Sequence, residues 1–313
     1  MLLQDIPLFK RSLSRLGFGG ASLSGEGGGY GFGKMDEQMA ETLIKDAWEM
    51  GINLFDTAPI YGFGLSEERL GRYLPKEAFL ITKSGVDWHP NMRVNMSNDP
   101  KVTEKMLLAS LKRLKREQID LYMIHWPDAS VDIRRPLEVL AKYQEKGAIQ
   151  HLGLCNSHPE DLKKAKEIAY VSSLQSELNI YQTKAFDLFE SDWKNFFSMA
   201  WGTFDKGILT GRVTTDRKFD STDARSWAPW WSKKEVARKI EQVEKISEVI
   251  KDEGISLTQL ALHFNLNYFG VNSTFIGFKS RNDILEAQQA FLKPMAENKL
   301  QEIIKNCSDQ TDS

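Results

Sequence analysis

The chain has 313 residues, 41% hydrophobic and 27% charged, enough to bury one large α/β domain or two ordinary ones. Lys and Arg number 41 against 43 Asp and Glu, and a formal net charge of −2 argues against the basic footprint of a nucleic-acid binder. Only Cys155 and Cys307 are present, too few for a disulfide framework or a cysteine-based zinc site. Met1–Pro7 lacks the basic-then-apolar order of a signal peptide, and no apolar run reaches the roughly 18 residues of a membrane span. A cytoplasmic globular protein is expected.

Short apolar runs alternate with helical patterns. Ser14–Gly20 reads as a strand and Asp36–Met50 as a helix, with Asp36 as N-cap and Gly51 as its stop. Ile52–Asp56 is a strand, Leu65–Leu74 a helix ended by Pro75, and Phe79–Lys83 a strand. Val102–Lys115 and Ile133–Lys146 are helices that flank the strand Ile119–His125. Ile149–Leu154 precedes a helix over Pro159–Ala169. Leu174–Asn179, Phe197–Trp201 and Thr274–Gly277 complete the strands, with a long helix over Lys233–Glu253 before the last. Strand–helix alternation implies right-handed crossovers and a parallel sheet. Eight units in this length fit a (β/α)₈ TIM barrel of one domain over residues 1–313; an open doubly wound sheet is the competing architecture. Lys206–Ser232, rich in charge and tryptophan, is long enough to be a lid, and the polar tail from about residue 306 to 313 is expected to be flexible.

Gly28–Lys34 imitates a phosphate cradle, but Met35 stands where Mg²⁺ coordination needs a Ser or Thr hydroxyl. A flexible loop at the barrel mouth is the better reading. No window carries the Rossmann glycine fingerprint.

Asp56, Lys83 and His125 end predicted strands, and Tyr61 follows Asp56 closely. In a parallel barrel such positions converge on the catalytic face. A lysine beside a tyrosine favours the phenolate, and an aspartate holds the lysine charged. A histidine opposite can orient a carbonyl oxygen. The set suits general-acid protonation of that oxygen while hydride arrives at carbon. Singly, each residue also has a plainer reading: a structural ion pair for Asp56 and Lys83, a rim aromatic for Tyr61, a core histidine for His125.

Asp56–Gly62 followed by Ser66 and Glu67 resembles the signature of the aldo-keto reductase superfamily. So do Ile81–Lys83, Asp120–Pro127, Ile149–Asn156, Gln175–Asn179 and Gly207–Gly211, in the family's order from about Leu13 to Ala290. The branch looks like the bacterial and channel β-subunit-like group. The resemblance implies a (β/α)₈ barrel, reversible carbonyl–alcohol conversion, Tyr61 as general acid/base, Lys83 and Asp56 as its tuning pair, and His125 as the orienting residue. It implies a nicotinamide dinucleotide, with Asn156 and Gln175 on the carboxamide and Trp201 beneath the ring. It puts Leu209 and Gly211 near the pyrophosphate through backbone N–H groups, and Asp216, Asp223 and Arg225 in a covering loop. Lys279, Ser280, Arg281 and Glu286 fall at the adenosine end. NADP(H) is favoured there, with NAD(H) as the alternative because Asp283 replaces the family's Arg or Gln and Ala287 its Asn.

Cys155 replaces the family's Ser, Trp201 its Tyr, and Gly202–Asp205 its Ser-Pro-Leu-Gly. Trp88, Trp126, Trp227, Trp230 and Trp231 are candidates to line a pocket for a sugar or small aldehyde or ketone. A cofactor-sensing regulatory barrel with little turnover is a second reading. Metal-assisted chemistry is a third, disfavoured because the five histidines show no metal-ligand spacing. Oligomeric state is not legible.

Overall fold

The computed structural model describes residues 2–25, 29–293 and 295–311. The strands are β1 (Leu3–Ile6), β2 (Arg11–Ser14), β3 (Leu16–Gly19), β4 (Leu54–Asp56), β5 (Phe79–Ser84), β6 (Val86–Trp88), β7 (Val94–Met96), β8 (Ile119–Ile124), β9 (Ile149–Cys155), β10 (Val171–Glu177), β11 (Phe197–Trp201) and β12 (Ser273–Ile276). The helices are α1 (Glu37–Glu49), α2 (Leu65–Tyr73), α3 (Pro100–Leu114), α4 (Arg134–Glu145), α5 (Pro159–Ala165), α6 (Lys184–Asp187), α7 (Lys233–Ile250), α8 (Leu257–His263), α9 (Arg281–Leu292) and α10 (Glu297–Thr311). β3, β4, β5, β8, β9, β10, β11 and β12 close a parallel barrel, so the TIM-barrel reading holds and the open sheet is excluded.

The helix signals act as their chemistry requires. Asp36 caps α1 by accepting from the Met39 N–H. Asp99 caps α3 with Pro100 at its first position, two residues before the expected start. Capping boxes that the strand–helix pattern did not reveal open α8 (Ser256 with Gln259) and α9 (Ser280 with Asp283). Helical backbone continues to Thr311, into the segment expected to be a flexible tail.

Strand alternation sorts side chains between two cores. Inward residues such as Leu54, Phe79, Ile81, Leu121, Met123, Met199 and Phe275 fill the barrel. Outward residues such as Phe18, Phe55, Leu80, Tyr122 and Leu152 pack under the helices. The hairpin of β1 and β2, absent from the sequence reading, plugs the barrel floor. Its Phe9 ring lies 4.9 Å from Phe79, 5.1 Å from Phe197 and 4.6 Å from His151 between centroids.

At the other end, the glycine-rich loop meets the 206–232 segment. Phe32 forms a β-bridge with Asp223, Ala224 N donates to Gly31 O at 2.9 Å, and Tyr30 packs on Trp227. The expected free-standing loop is tied to the lid over its described part, Gly29–Gly33; Gly28 lies outside the described residues.

Because Phe9 fills the floor, Phe9→Ala should lower unfolding free energy by about 3–5 kcal/mol in a denaturant titration. The carbonyl end of the barrel should be unaffected. A loss below about 1 kcal/mol would contradict the plug.

Candidate active site

The site is the top layer of the inward alternation. Asp56 follows Leu54 by two residues, Lys83 follows Ile81, His125 follows Met123, and Trp201 follows Met199, each lower member lying in the barrel core. Register steps the tops around the rim, with Asp56 opposite Ile81, Lys83 opposite Met123, and Gln175 opposite Cys155. Tyr61 comes from the β4–α2 loop. Gly62 shapes that loop: its φ is +65°, and a Cβ there would lie 2.5 Å from the Ser24 carbonyl oxygen.

Lys83 is fully buried, and its Nζ lies 2.6 Å from both Asp56 carboxylate oxygens and 3.1 Å from the Thr57 carbonyl. It stands 5.7 Å from the Tyr61 ring centroid. The His125 ring meets Tyr61 edge-on, centroids 5.9 Å apart and planes at 90°. The four expected catalytic residues therefore share one pocket.

Their electrostatics differ from expectation in one respect. Lys83 was expected to draw the Tyr61 pKa down. Instead, burial of the hydroxyl end, then the Asp56 carboxylate and Cys155, push it well above the ordinary tyrosine value. Tyr61 therefore keeps its proton. Burial, then the Lys83 charge, push His125 well below the ordinary histidine value, so its imidazole is neutral near neutral pH.

A hydrogen-bonded chain runs from this cluster around the rim. Gln175 Nε2 donates to Asp56 Oδ2 at 2.9 Å, and the Cys155 thiol donates to Gln175 Oε1 at 3.2 Å. Asn156 Nδ2 donates to Cys155 Sγ at 3.2 Å and to the His125 carbonyl at 3.0 Å. Trp201 Nε1 donates to Asn156 Oδ1 at 3.0 Å. Asn156 adopts φ +52°, a conformation asparagine tolerates, which swings its amide back over the rim. Cys155 is a linking thiol here, with its pKa pushed up to about 12 by burial. Sequence reading supplied every member of this chain but not its connection to Asp56, which spans 119 residues.

After β11, the replacement Gly202–Asp205 leads into consecutive left-handed residues, Asp205 (φ +41°), Lys206 (+58°) and Gly207 (+105°). Lys206 Nζ pairs with Glu177 at 2.9 Å and Asp205 at 3.1 Å, and Lys239 pairs with Asp205 at 2.5 Å. This charged cluster escaped the sequence reading, because Glu177, Lys206 and Lys239 lie far apart in the chain. Leu209 and Gly211, expected near a pyrophosphate through their amides, direct those amides into the turn itself. Leu209 N donates to Phe204 O at 3.1 Å and Gly211 N to Ile208 O at 3.0 Å, so both are committed to the turn. Arg225 bonds Asp223 and the Lys206 carbonyl and lies 4.1 Å from the Phe219 ring centroid. Asp216 is hydrogen-bonded by the Thr214 side chain, which lowers its pKa.

At the adenosine-end candidates, Lys279, Ser280 and Arg281 line a cleft of about 310 Å³ against α1. Asp283 Oδ2 accepts from the backbone N–H of Lys279 and of Ser280, each at 3.0 Å, and Oδ1 pairs with Arg212 at 3.3 Å. Arg281 reaches Asp46 at 2.5 Å, and Glu286 is held by Arg212 and Thr258. Burial pushes Lys279 down to about 8, with Asp223 opposing and Arg225 adding to that effect.

The tryptophans separate. Trp126 sits between His125 and Trp201, and Trp88 packs on Phe63 beside Tyr61. Trp227 is half exposed against Tyr30, and Trp230 is exposed beside Lys206. Trp231 turns into the lid's own apolar cluster, against Phe219. No group of three or more His, Cys, Asp or Glu among the described residues could hold a metal ion, and no described helix is long and apolar enough to cross a membrane.

His125, His151 and His263 all have pKa values lowered by burial. The unfolded chain binds protons at these positions near pH 6.5 while the native chain does not, so stability falls as pH drops below about 6.5. Unfolding measured between about pH 7 and 5.5 should show this loss, and His125→Gln should make it shallower. An unchanged slope in that variant would show that His125 is not held neutral.

The sequence model of the aldo/keto reductase family matches residues 15–306. The aldo-keto reductase YhdN of Bacillus subtilis is 30% identical over 273 residues, covering 84% of this chain and 81% of that protein. A putative voltage-gated potassium channel subunit beta of Schizosaccharomyces pombe is 28% identical, over 88% of this chain and 87% of its own. The solved glycerol dehydrogenase of Gluconobacter oxydans superposes with a TM-score of 0.85 at 27% identity, covering 100% of this chain and 97% of that one. With the closed barrel and the acid–cation–imidazole cluster at its carboxyl end, these likenesses make the chain a member of the aldo/keto reductase family, an oxidoreductase.

Proposed function

We propose that this enzyme interconverts a small aldehyde, ketone or sugar carbonyl and its alcohol, with Tyr61 as the proton donor and acceptor. The observation that carries the reading is the contact set around Lys83: bidentate to Asp56, under the Tyr61 ring, with the His125 edge facing the same ring. The residues present fit a nicotinamide dinucleotide, which when bound supplies or accepts the hydride. Asn156, Gln175 and Trp201 would hold its nicotinamide end, and Lys279, Ser280 and Arg281 its adenosine end.

The chain's own groups then do the proton chemistry. Neutral His125 donates a hydrogen bond to the carbonyl oxygen and orients it. As carbon accepts hydride, charge develops on that oxygen, which becomes far more basic than a phenolate. Tyr61, held protonated, transfers its proton there. The Lys83 ammonium stabilises the phenolate that remains, and Asp56 keeps Lys83 fixed in place. In the alcohol-to-carbonyl direction the same phenolate accepts the proton. Trp126 and Trp88, the aromatics nearest His125 and Tyr61, flank the substrate, whereas Trp231 serves lid packing.

NADP(H) is the better match at the adenosine end. Asp283, the acid that could have repelled a 2′-phosphate, spends both oxygens on the α9 cap and Arg212. Among the described residues, half-buried Lys279 has only the Ser22 carbonyl, 3.4 Å away, as a hydrogen-bond partner for its side chain. A phosphate would meet that cation.

Tyr61→Phe should lower turnover of a small aldehyde by about 10²–10⁴-fold. Quenching of tryptophan fluorescence by NADPH should saturate at nearly the wild-type concentration. Full turnover in the variant would remove Tyr61 as the acid, and absence of quenching in the wild type would remove the dinucleotide.

A further inference from the structure

Two segments beyond the strand ends carry the aromatics that flank the substrate in the proposed reaction. The hairpin of β6 and β7 carries Trp88, which packs with Tyr61, Phe63 and Val94 around buried Ile60 and Val86. The loop after β8 carries Trp126, 37% exposed, with its ring centroid 6.5 Å from that of His125. The Tyr61 and His125 rings are themselves 5.9 Å apart. Trp88 thus stands on the Tyr61 side of the reacting pair and Trp126 on the His125 side. How these two segments are held to one another bears on the room a carbonyl compound has at that pair.

Asn98 joins them. It lies two residues past β7, just beyond the point where Ser97 N donates to Gly85 O at 3.1 Å and closes the hairpin base. Its side chain is fully buried. Asn98 Nδ2 donates to the Trp126 carbonyl at 3.2 Å, and its Oδ1 accepts from Asp128 N at 2.8 Å. Its own backbone N–H donates to Asp128 Oδ2 at 3.3 Å. Among the described residues, these are the hydrogen bonds that join residues 85–98 to the loop 126–132. Pro127 has no N–H to offer, so Asn98 grips the loop at the carbonyl before the proline and at the amide after it. The far side of the grip is firm, because Asp128 Oδ1 accepts from Ser130 N at 2.8 Å and from its hydroxyl at 2.6 Å. The near side has no slack. A Cβ on Gly85, at φ +104°, would lie 2.6 Å from Asn98 Nδ2 and 3.2 Å from the Trp126 carbonyl oxygen.

A buried amide that uses both its ends on one loop fixes that loop, since moving it leaves buried polar groups unpaired. We propose that Asn98 is a positioning residue for substrate selection: by holding the Trp126 backbone against the hairpin that carries Trp88, it limits the bulk of the carbonyl compound that reaches Tyr61 and His125. The inference rests on the proposed function, in which Trp88 and Trp126 flank the substrate. Asn98 itself touches no reacting atom and acts through Trp126. Its plainer role, steadying the chain that enters α3, predicts no effect on the choice between substrates.

The test compares NADPH-dependent reduction of benzaldehyde and of biphenyl-4-carbaldehyde, which share a reacting group and differ in length. Selection is read as the ratio of their kcat/KM values. Asn98→Ala should raise the ratio of the longer aldehyde to the shorter by about tenfold, chiefly through a lower KM for the longer one. Turnover of benzaldehyde should stay within about threefold of wild type, because Tyr61, Lys83 and His125 keep their contacts. If that variant does not fold, Asn98→Asp keeps the side-chain volume and the acceptor for Asp128 N but cannot, as a carboxylate, donate to the Trp126 carbonyl. It should move the ratio in the same direction. A lowered unfolding midpoint with the wild-type ratio, the result of a merely structural role, would overturn the inference and leave the proposed function standing. A ratio that falls would do the same. A wild type that reduces neither aldehyde would overturn the proposed function itself, and this inference with it.

Discussion

The ion pair of Asp56 with Lys83 is the constraint on which the rest of the site depends. Both groups are buried, and taking two charges out of water is costly unless their geometry is excellent. Here the ammonium meets both carboxylate oxygens and a backbone carbonyl, and Gln175 donates to the same carboxylate. Such a pair contributes little net stability, but it fixes a cation at one point in the barrel. Tyr61 and His125 are arranged around that point. The pair adds to what burial does to their protonation: burial and then the Asp56 charge keep the tyrosine protonated, and burial and then the Lys83 charge keep the histidine neutral.

The barrel makes that arrangement cheap in backbone terms. Strands of fixed register carry Asp56, Lys83, Cys155 and Gln175, so the side chains reach one another from rigid supports. His125 and Asn156 follow the ends of β8 and β9 directly, and Tyr61 arrives from a longer loop that the left-handed Gly62 sets against Ser24. The rim amides are not independent contacts. Asn156, Cys155 and Gln175 connect Trp201 to Asp56 in one hydrogen-bonded chain, so a group bound at the indole end bears on the carboxylate that holds Lys83. On the outer edge, the Phe32–Asp223 bridge and the Arg225 contacts tie the lid to the first barrel loop.

Much of this was legible in the sequence because barrel strands are buried on both faces and read as apolar runs. Asp56, Lys83 and His125 stood out as polar residues ending such runs. The two hairpins did not, since β6 and β7 are three residues each and β1 and β2 are polar on one face. α8 was hidden because a π-helical turn breaks the period directly after it. The Tyr61 shift could not be read from neighbours in sequence, because its first cause is burial of the hydroxyl, which only the closed fold decides. The inward hydrogen bonds of the Leu209 and Gly211 amides were hidden for a related reason: a motif names residues, and only the turn decides where their N–H groups point.

The most direct test of the account is single-turnover hydride transfer to a small aldehyde in Lys83→Met at saturating NADPH, followed across pH. The account predicts a fall of at least about hundredfold in the transfer rate, with NADPH affinity within a few-fold of wild type, because the lost cation leaves the Tyr61 phenolate unsupported. A rate within about twofold of wild type at every pH would contradict it, and would mean that the buried pair holds the barrel together without taking part in the chemistry.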